Sequence, residues 1–135
     1  MGRFSGKYKA YVADTNDPLN MGRIRVSCPA VTLNYLTGWC DPCFPCDGDY
    51  YVPAVGSCVW IEFQQGDLDK PIWLGGWYAE NQAPANMSTR VISYGGATIT
   101  LSGGSVLING TDVISKINSL EDQIEALERK VAALG

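Results

Sequence analysis

Histidine is absent from all 135 residues. That removes the Ser-His and Cys-His routes to an activated nucleophile, together with the commonest metal ligand. Positive charge is also scarce. Ten Lys and Arg stand against fourteen Asp and Glu, for a net charge of −4 and a pI near 4.6. The cations are scattered, so no basic footprint for a phosphate backbone is present. No apolar run approaches the roughly 20 residues that span a bilayer, and "MGRFSGKYKAY" lacks the apolar core of a signal peptide. The expectation is a chain held in a cytosol until assembled, with no stable membrane anchor. Nucleotide loops are missing too: "YGGATITLSGG" has neither the required Lys nor a helix behind it. No pair of carboxylates sits in a context that marks a glycosidase. These absences predict no enzyme, no catalytic residue and no cofactor.

What is present describes an ordinary globular protein, 46% hydrophobic and 18% charged, with fifteen Gly and seven Pro that demand many turns. The length suits one domain with an appendage. Five cysteines need weighing. Cys40, Cys43 and Cys46 form a C-x-x-C-x-x-C run in "WCDPCFPCDG", a spacing that lets loop thiolates converge on Zn²⁺ or an iron–sulfur cluster with Cys28 or Cys58 as fourth ligand. Each knuckle carries a Pro and no second separated pair follows, so free or buried thiols, or a disulfide, are the competing readings. The expectation is that no metal is needed for folding.

Along the chain, "GKYKAYVAD" alternates with Tyr8, Ala10 and Val12 on one face. "TNDPLNMG" is a turn cluster around Pro18 and Gly22. "RIRVSC" places Ile24, Val26 and Cys28 together, and "VTLNYL" places Val31, Leu33 and Tyr35 together. Residues 37–50 read as a loop. "CVWIEFQQ" turns Val59, Ile61 and Phe63 inward, and "IWLGGWY" supplies a last strand opened by Pro71. Trp60 and Trp73 project from strand faces, with packing as the expected role. Five short strands joined by turns predict a small antiparallel barrel. Beyond a polar linker, "RVISYGGATITLSGGSVLINGTD" shows β-branched alternation broken by Gly pairs, with a hairpin expected around Gly103-Gly104.

The blocks "DTNDPLNMGRIRVSCPAV" and "VPAVGSCVWIEFQQGDLDKPIWLGGWY" follow the pattern D-P-x-x-x-G-R-[IV]-x-V-x-x-P, V-P-x-V-G and V-W-[IV]-x-F-x-x-G-D-x-x-x-P-x-x-x-G. Asp17, Pro18, Gly22, Arg23, Val26, Pro29, Val52, Pro53, Gly56, Trp60, Phe63, Gly66, Asp67, Pro71 and Gly75 carry it. The pattern resembles the OB-fold domain of phage baseplate central spike proteins, the baseplate assembly protein V family, shared with type VI secretion spikes. The loop between Trp39 and Tyr50 lies outside that pattern. No lysozyme-like domain is present, so the resemblance implies no cell-wall hydrolysis. It implies an OB-fold barrel over 1–80, a linker and β-strand spike segment over 81–112 that winds with two other copies, and a structural role in a contractile tail baseplate or related injection particle. The partners implied are a hub protein beneath the tail tube and a spike-tip protein, with the particle assembled in a host cytoplasm.

The tail "VISKINSLEDQIEALERKVAAL" has no Pro, aromatic or Gly. Its apolar positions Val113, Ile117, Leu120, Ile124, Leu127, Val131 and Leu134 recur at alternating steps of four and three, a heptad seam with the Ile and Val131 at a. Asp112 and Ser115 mark its start. So short a helix is marginal alone, and self-association offsets that; a helix packed on its own barrel would show a wider stripe. β-Branched a with Leu d favours dimers. "KINSLE", with Lys116 at g and Glu121 at e, is similar to a trimer-favouring pattern, as are the spikes themselves. The expectation for 113–135 is therefore a parallel homotrimeric coiled coil with those seven residues at the interface. The rival function is an OB-fold single-stranded nucleic-acid binder, which needs a basic groove with stacking aromatics; the acidic balance argues for no nucleic-acid partner.

Overall fold

Alternating side chains set the strands of the first half. In the computed structural model, which describes residues 3–135, β1 (Tyr8–Asp14), β2 (Arg25–Ser27), α1 (Pro29–Thr32), β3 (Asp41–Pro42), β4 (Cys58–Phe63) and β5 (Pro71–Gly76) follow in order. They lie in a unit that ends at Ala83. Ala10 and Val12 point inward from β1, Val26 from β2, Val59, Ile61 and Phe63 from β4, and Trp73 from β5. With Ile24, Cys28 and Cys40 these make one core, so the inward faces expected from the alternation are the buried ones.

The sheet order is β2-β1-β4-β5-β3. Every pairing is antiparallel except β3 with β5, which is parallel. The sheet curls into a half-barrel, and a bridge between Ile24 and Cys40 ties its two ends. The Cys40 N–H donates to the Ile24 carbonyl at 2.7 Å and the Ile24 N–H donates back at 3.3 Å. Both residues are fully buried, so the seam lies inside the core.

One expected strand is absent. "VTLNYL" alternates, but Pro29 presets a helical turn, and the N–H groups of Val31 and Thr32 both donate to the Cys28 carbonyl at 2.9 Å. The chain then turns, with Leu33 at φ +54°, leaving Leu33 and Tyr35 in solvent at 73% and 78% exposure. Only Leu36 returns to the sheet, through a bridge to Ser27. The fifth strand comes instead from inside the expected 37–50 loop, where Asp41 and Pro42 pair with Ile72 and Trp73. Alternation alone did not separate the two because a strand needs a neighbour whose backbone groups it can satisfy.

The second unit, Pro84–Gly135, is a meander of β6 (Arg90–Tyr94), β7 (Ala97–Ser102), β8 (Ser105–Ile108) and β9 (Thr111–Asp112), leading into α2 (Val113–Leu134). Neighbours in sequence are neighbours in the sheet. Each connection is a two-residue loop, Gly95-Gly96, Gly103-Gly104 or Asn109-Gly110, with φ between +49° and +87° at both positions. That is the backbone of the type I′ turns that match strand twist. The expected hairpin at Gly103-Gly104 is present. The Asn-Gly turn is a strong local hairpin signal, but only two residues of strand, Thr111–Asp112, follow it. No residue of 84–135 is buried.

Candidate functional site

The D-P-x-x-x-G-R stretch builds a rigid turn. With Pro18 presetting the chain direction, the Asp17 carboxylate accepts from the backbone N–H of Leu19 at 2.9 Å, Met21 at 2.8 Å and Arg23 at 3.2 Å. The Arg23 guanidinium adds Nη2–H at 2.7 Å and a shared Nε–H at 3.1 and 3.2 Å. The side chains of Arg23 and Asp17 are only 17% and 4% exposed. Arg23 above all, and then the backbone donors, hold the Asp17 carboxyl well below the usual carboxylate range. The loop so fixed presents Leu19 and Met21 outward, at 62% and 59% exposure.

Gly22 links this turn to the core. It sits at φ +74°, and a Cβ there would lie 3.5 Å from the Phe44 ring; its carbonyl accepts the Trp73 indole N–H at 3.0 Å. Trp73 is fully buried, with Phe44 and Tyr51 edge-on at 5.6 and 5.5 Å. The Cys43 N–H donates to the Trp73 carbonyl at 2.9 Å. The cysteine loop is therefore part of the same packing unit as the turn, a connection that spacing did not reveal.

The loop does not gather its thiols. Cys40 points into the core, where burial pushes its pKa up to about 11, and Thr37 Oγ1 lies 3.3 Å from its sulfur. Burial raises the Cys28 thiol as well. Cys43 and Cys46 face solvent, Cys58 is half-buried, and all five are free thiols. Among the described residues no three His, Cys, Asp or Glu side chains are placed to hold a metal ion.

On the outer face of β1 and β4, Lys9 stands 4.6 Å over the Trp77 ring and 5.9 Å from Trp60, with Tyr11 edge-on to Trp77 at 5.4 Å. The Trp77 indole N–H donates to the Val59 carbonyl at 3.0 Å. Three other cations of this unit are engaged: Lys7 with Glu62 at 2.9 Å, Arg23 with Asp17, and Arg25, whose Nε–H donates to the Thr37 carbonyl at 3.1 Å. The aromatics of this face have Lys9 as their cation.

The expected interface residues all lie on α2. Asp112 caps the helix by accepting the Ser115 N–H at 3.0 Å, in keeping with the start read from the sequence. Val113 is half-buried. Ile117, Leu120, Ile124, Leu127, Val131 and Leu134 are 44–87% exposed. The only ion pair on the helix among the described residues is Glu125 with Arg129 at 3.5 Å, one turn apart. No described helix is long and apolar enough to cross a membrane.

A family model described as the type VI secretion system/phage-baseplate injector OB domain matches residues 8–78. No curated protein matches the chain. The matched span runs from β1 to just past β5 and contains the Asp17–Arg23 turn, the Trp73 core and the cysteine loop, as a structural domain of a baseplate. By that span, more than half its length, the chain belongs to the type VI secretion system/phage-baseplate injector OB-domain family.

Proposed function

We propose that the protein is a structural component of a contractile phage tail baseplate or related injection particle, forming a trimeric central spike or hub-docking collar. Residues 1–80 form the OB barrel, 81–112 a linker and β-strand spike segment, and 113–135 a parallel three-stranded coiled coil. Val113, Ile117, Leu120, Ile124, Leu127, Val131 and Leu134 line its seam. Its partners are two further copies, a hub protein beneath the tail tube and a spike-tip protein, with assembly in the host cytoplasm before incorporation in the tail.

The observation that carries this reading is a unit without a core. None of residues 84–135 is buried, yet the unit carries a narrow a/d stripe exposed along 22 residues of helix. Ordering a residue's backbone costs about 1–2 kcal/mol, so a folded segment of this size needs apolar burial that one chain does not supply. Knobs-into-holes packing between chains supplies it. Lys116 at g reaches Glu121 at e of a neighbour, and no charge enters the seam.

The test is mass in solution. Light scattering on the full chain at micromolar concentration is expected to give three copies. Ile124→Asp sets three carboxylates around the bundle axis and is expected to give monomers that keep the OB fold. A monomeric mass for the unmodified chain rejects the proposal.

A further inference from the structure

Cys43 and Cys46 are the thiols that the OB core leaves in solvent. Only Phe44 and Pro45 separate them, the C-x-x-C spacing at which two thiols close on each other. Cys40 stands at the same spacing before Cys43, but its side chain goes the other way. Its sulfur lies inside the core, 3.3 Å from Thr37 Oγ1 and 3.7 Å from the Gly38 carbonyl. Cys28 is buried too, and Cys58 is half-buried in β4 opposite Tyr11. The backbone around the exposed pair is anchored unequally. At Cys43 it is fixed: β3 pairs with β5, and the Cys43 N–H donates to the Trp73 carbonyl at 2.9 Å. The half-buried Phe44 adds its ring, edge-on to Trp73 at 5.6 Å. The chain then bends at the exposed Pro45. Cys46 opens a turn through Asp47-Gly48, with Gly48 at φ +89°. The Asp49 N–H closes that turn on the Cys46 carbonyl at 3.3 Å, a long contact.

We propose that Cys43 and Cys46 are a redox-modification site, joined within one chain by a low-molecular-weight disulfide as oxidant, and that the new bond clamps the loop onto Trp73. A disulfide needs its Cα atoms within about 7 Å, which a chain bent between residues three apart can reach. The thiolate of one cysteine attacks a sulfur of the small disulfide and expels a small thiolate, leaving a mixed disulfide. The other cysteine gives its proton to water, attacks the protein sulfur of that bond and expels the second small thiolate. The protein loses two electrons and two protons, and the small disulfide is reduced to two thiols. The loosely held turn at Cys46 is then tied to the anchored backbone at Cys43. Cys28 and Cys40 stay reduced because the core shields them from the reagent.

The test oxidises the folded, reduced full chain with bis(hydroxyethyl) disulfide. Asp41, Asp47 and Asp49 flank the pair, and this uncharged probe is not repelled by them. Remaining thiols are then alkylated in denaturant, and fragment masses locate each label. Cys43 and Cys46 are expected to be joined in the same chain, with dithiothreitol restoring both thiols. A stable mixed disulfide on each, or a bond from either to another cysteine or another chain, overturns the proposal. The variant Cys46→Ser is expected to stop at the mixed disulfide on Cys43. An intrachain bond from Cys43 in that variant overturns the pairing. The clamp is read separately by hydrogen exchange of the Cys43 amide, which bonds the Trp73 carbonyl. Oxidation is expected to slow it by about tenfold, since ring closure removes open states of the loop. Equal exchange in the oxidised and reduced chains overturns the clamp.

Discussion

Asp17 concentrates three backbone donors and one guanidinium on a single carboxylate, so its ionisation is tied to the fold. Its pKa is depressed in the folded chain. The stability it contributes is therefore fully present above the unfolded carboxylate value, about pH 4. It is lost as pH falls below that value towards the folded one. The native chain is expected to lose stability more steeply than Asp17→Asn between about pH 5 and pH 2, and to be the more stable of the two near neutrality. Denaturant midpoints across that range check this, and parallel acid limbs would reject it. Both members of the motif were visible in the sequence. Their pairing was not, because residues six apart meet only when the intervening turn folds them together. Leu33 is the counterexample at this scale. It occupies φ +54° and ψ −114° in an exposed turn, a region that costs a branched residue of order 1–3 kcal/mol. No pattern in the sequence announced it.

The elements differ in how much local chemistry specifies them. α2 has its whole case in the chain: a strict periodicity, no breaker, and Asp112 placed to bond the Ser115 N–H. Removing that acceptor with Asp112→Ala is expected to cost about 1 kcal/mol of helix stability. Helical ellipticity should melt at lower temperature, and Asp112→Asn should restore most of the loss. An unchanged melt in the alanine variant would mean that the cap contributes nothing. The meander is likewise written locally, since its glycine-rich two-residue loops leave the strands one way to fold back. β3 is the reverse case. Two residues, one of them Pro42, form a strand only because β5 offers its parallel edge and the Trp73 carbonyl takes the Cys43 N–H.

At the scale of the molecule, the two units draw on different sources of stability. The first has a core of ten buried apolar residues closed on Trp73; the second has none of its own. Their unfolding is expected to respond differently to dilution. All four Trp lie between residues 39 and 77, so Trp fluorescence reports the first unit, while ellipticity at the helix band reports α2. On the trimer reading, mass action makes the ellipticity transition move to lower temperature on dilution. The fluorescence transition should hold its place. Concentration-independent ellipticity would argue against association through the helix.

Composition and periodicity determined that the chain is mainly β with one terminal helix, which faces of the OB strands turn inward, and where the hairpin at Gly103-Gly104 lies. These follow from local rules, because side chains alternate along a strand with period 2 and along a helix with period 3.6. Tertiary structure alone decided that Val31–Leu36 forms the end of α1 and a turn rather than a strand and that Asp41–Pro42 takes the fifth place in the sheet. It also decided that Cys40 is a core residue while Cys43 and Cys46 are not. Each of those outcomes depends on a partner distant in sequence: Ile24 for Cys40, Trp73 for the cysteine loop, and the β5 edge for β3. A backbone group inside the core must find a hydrogen bond, and which segment supplies it is settled only when the sheet has curled.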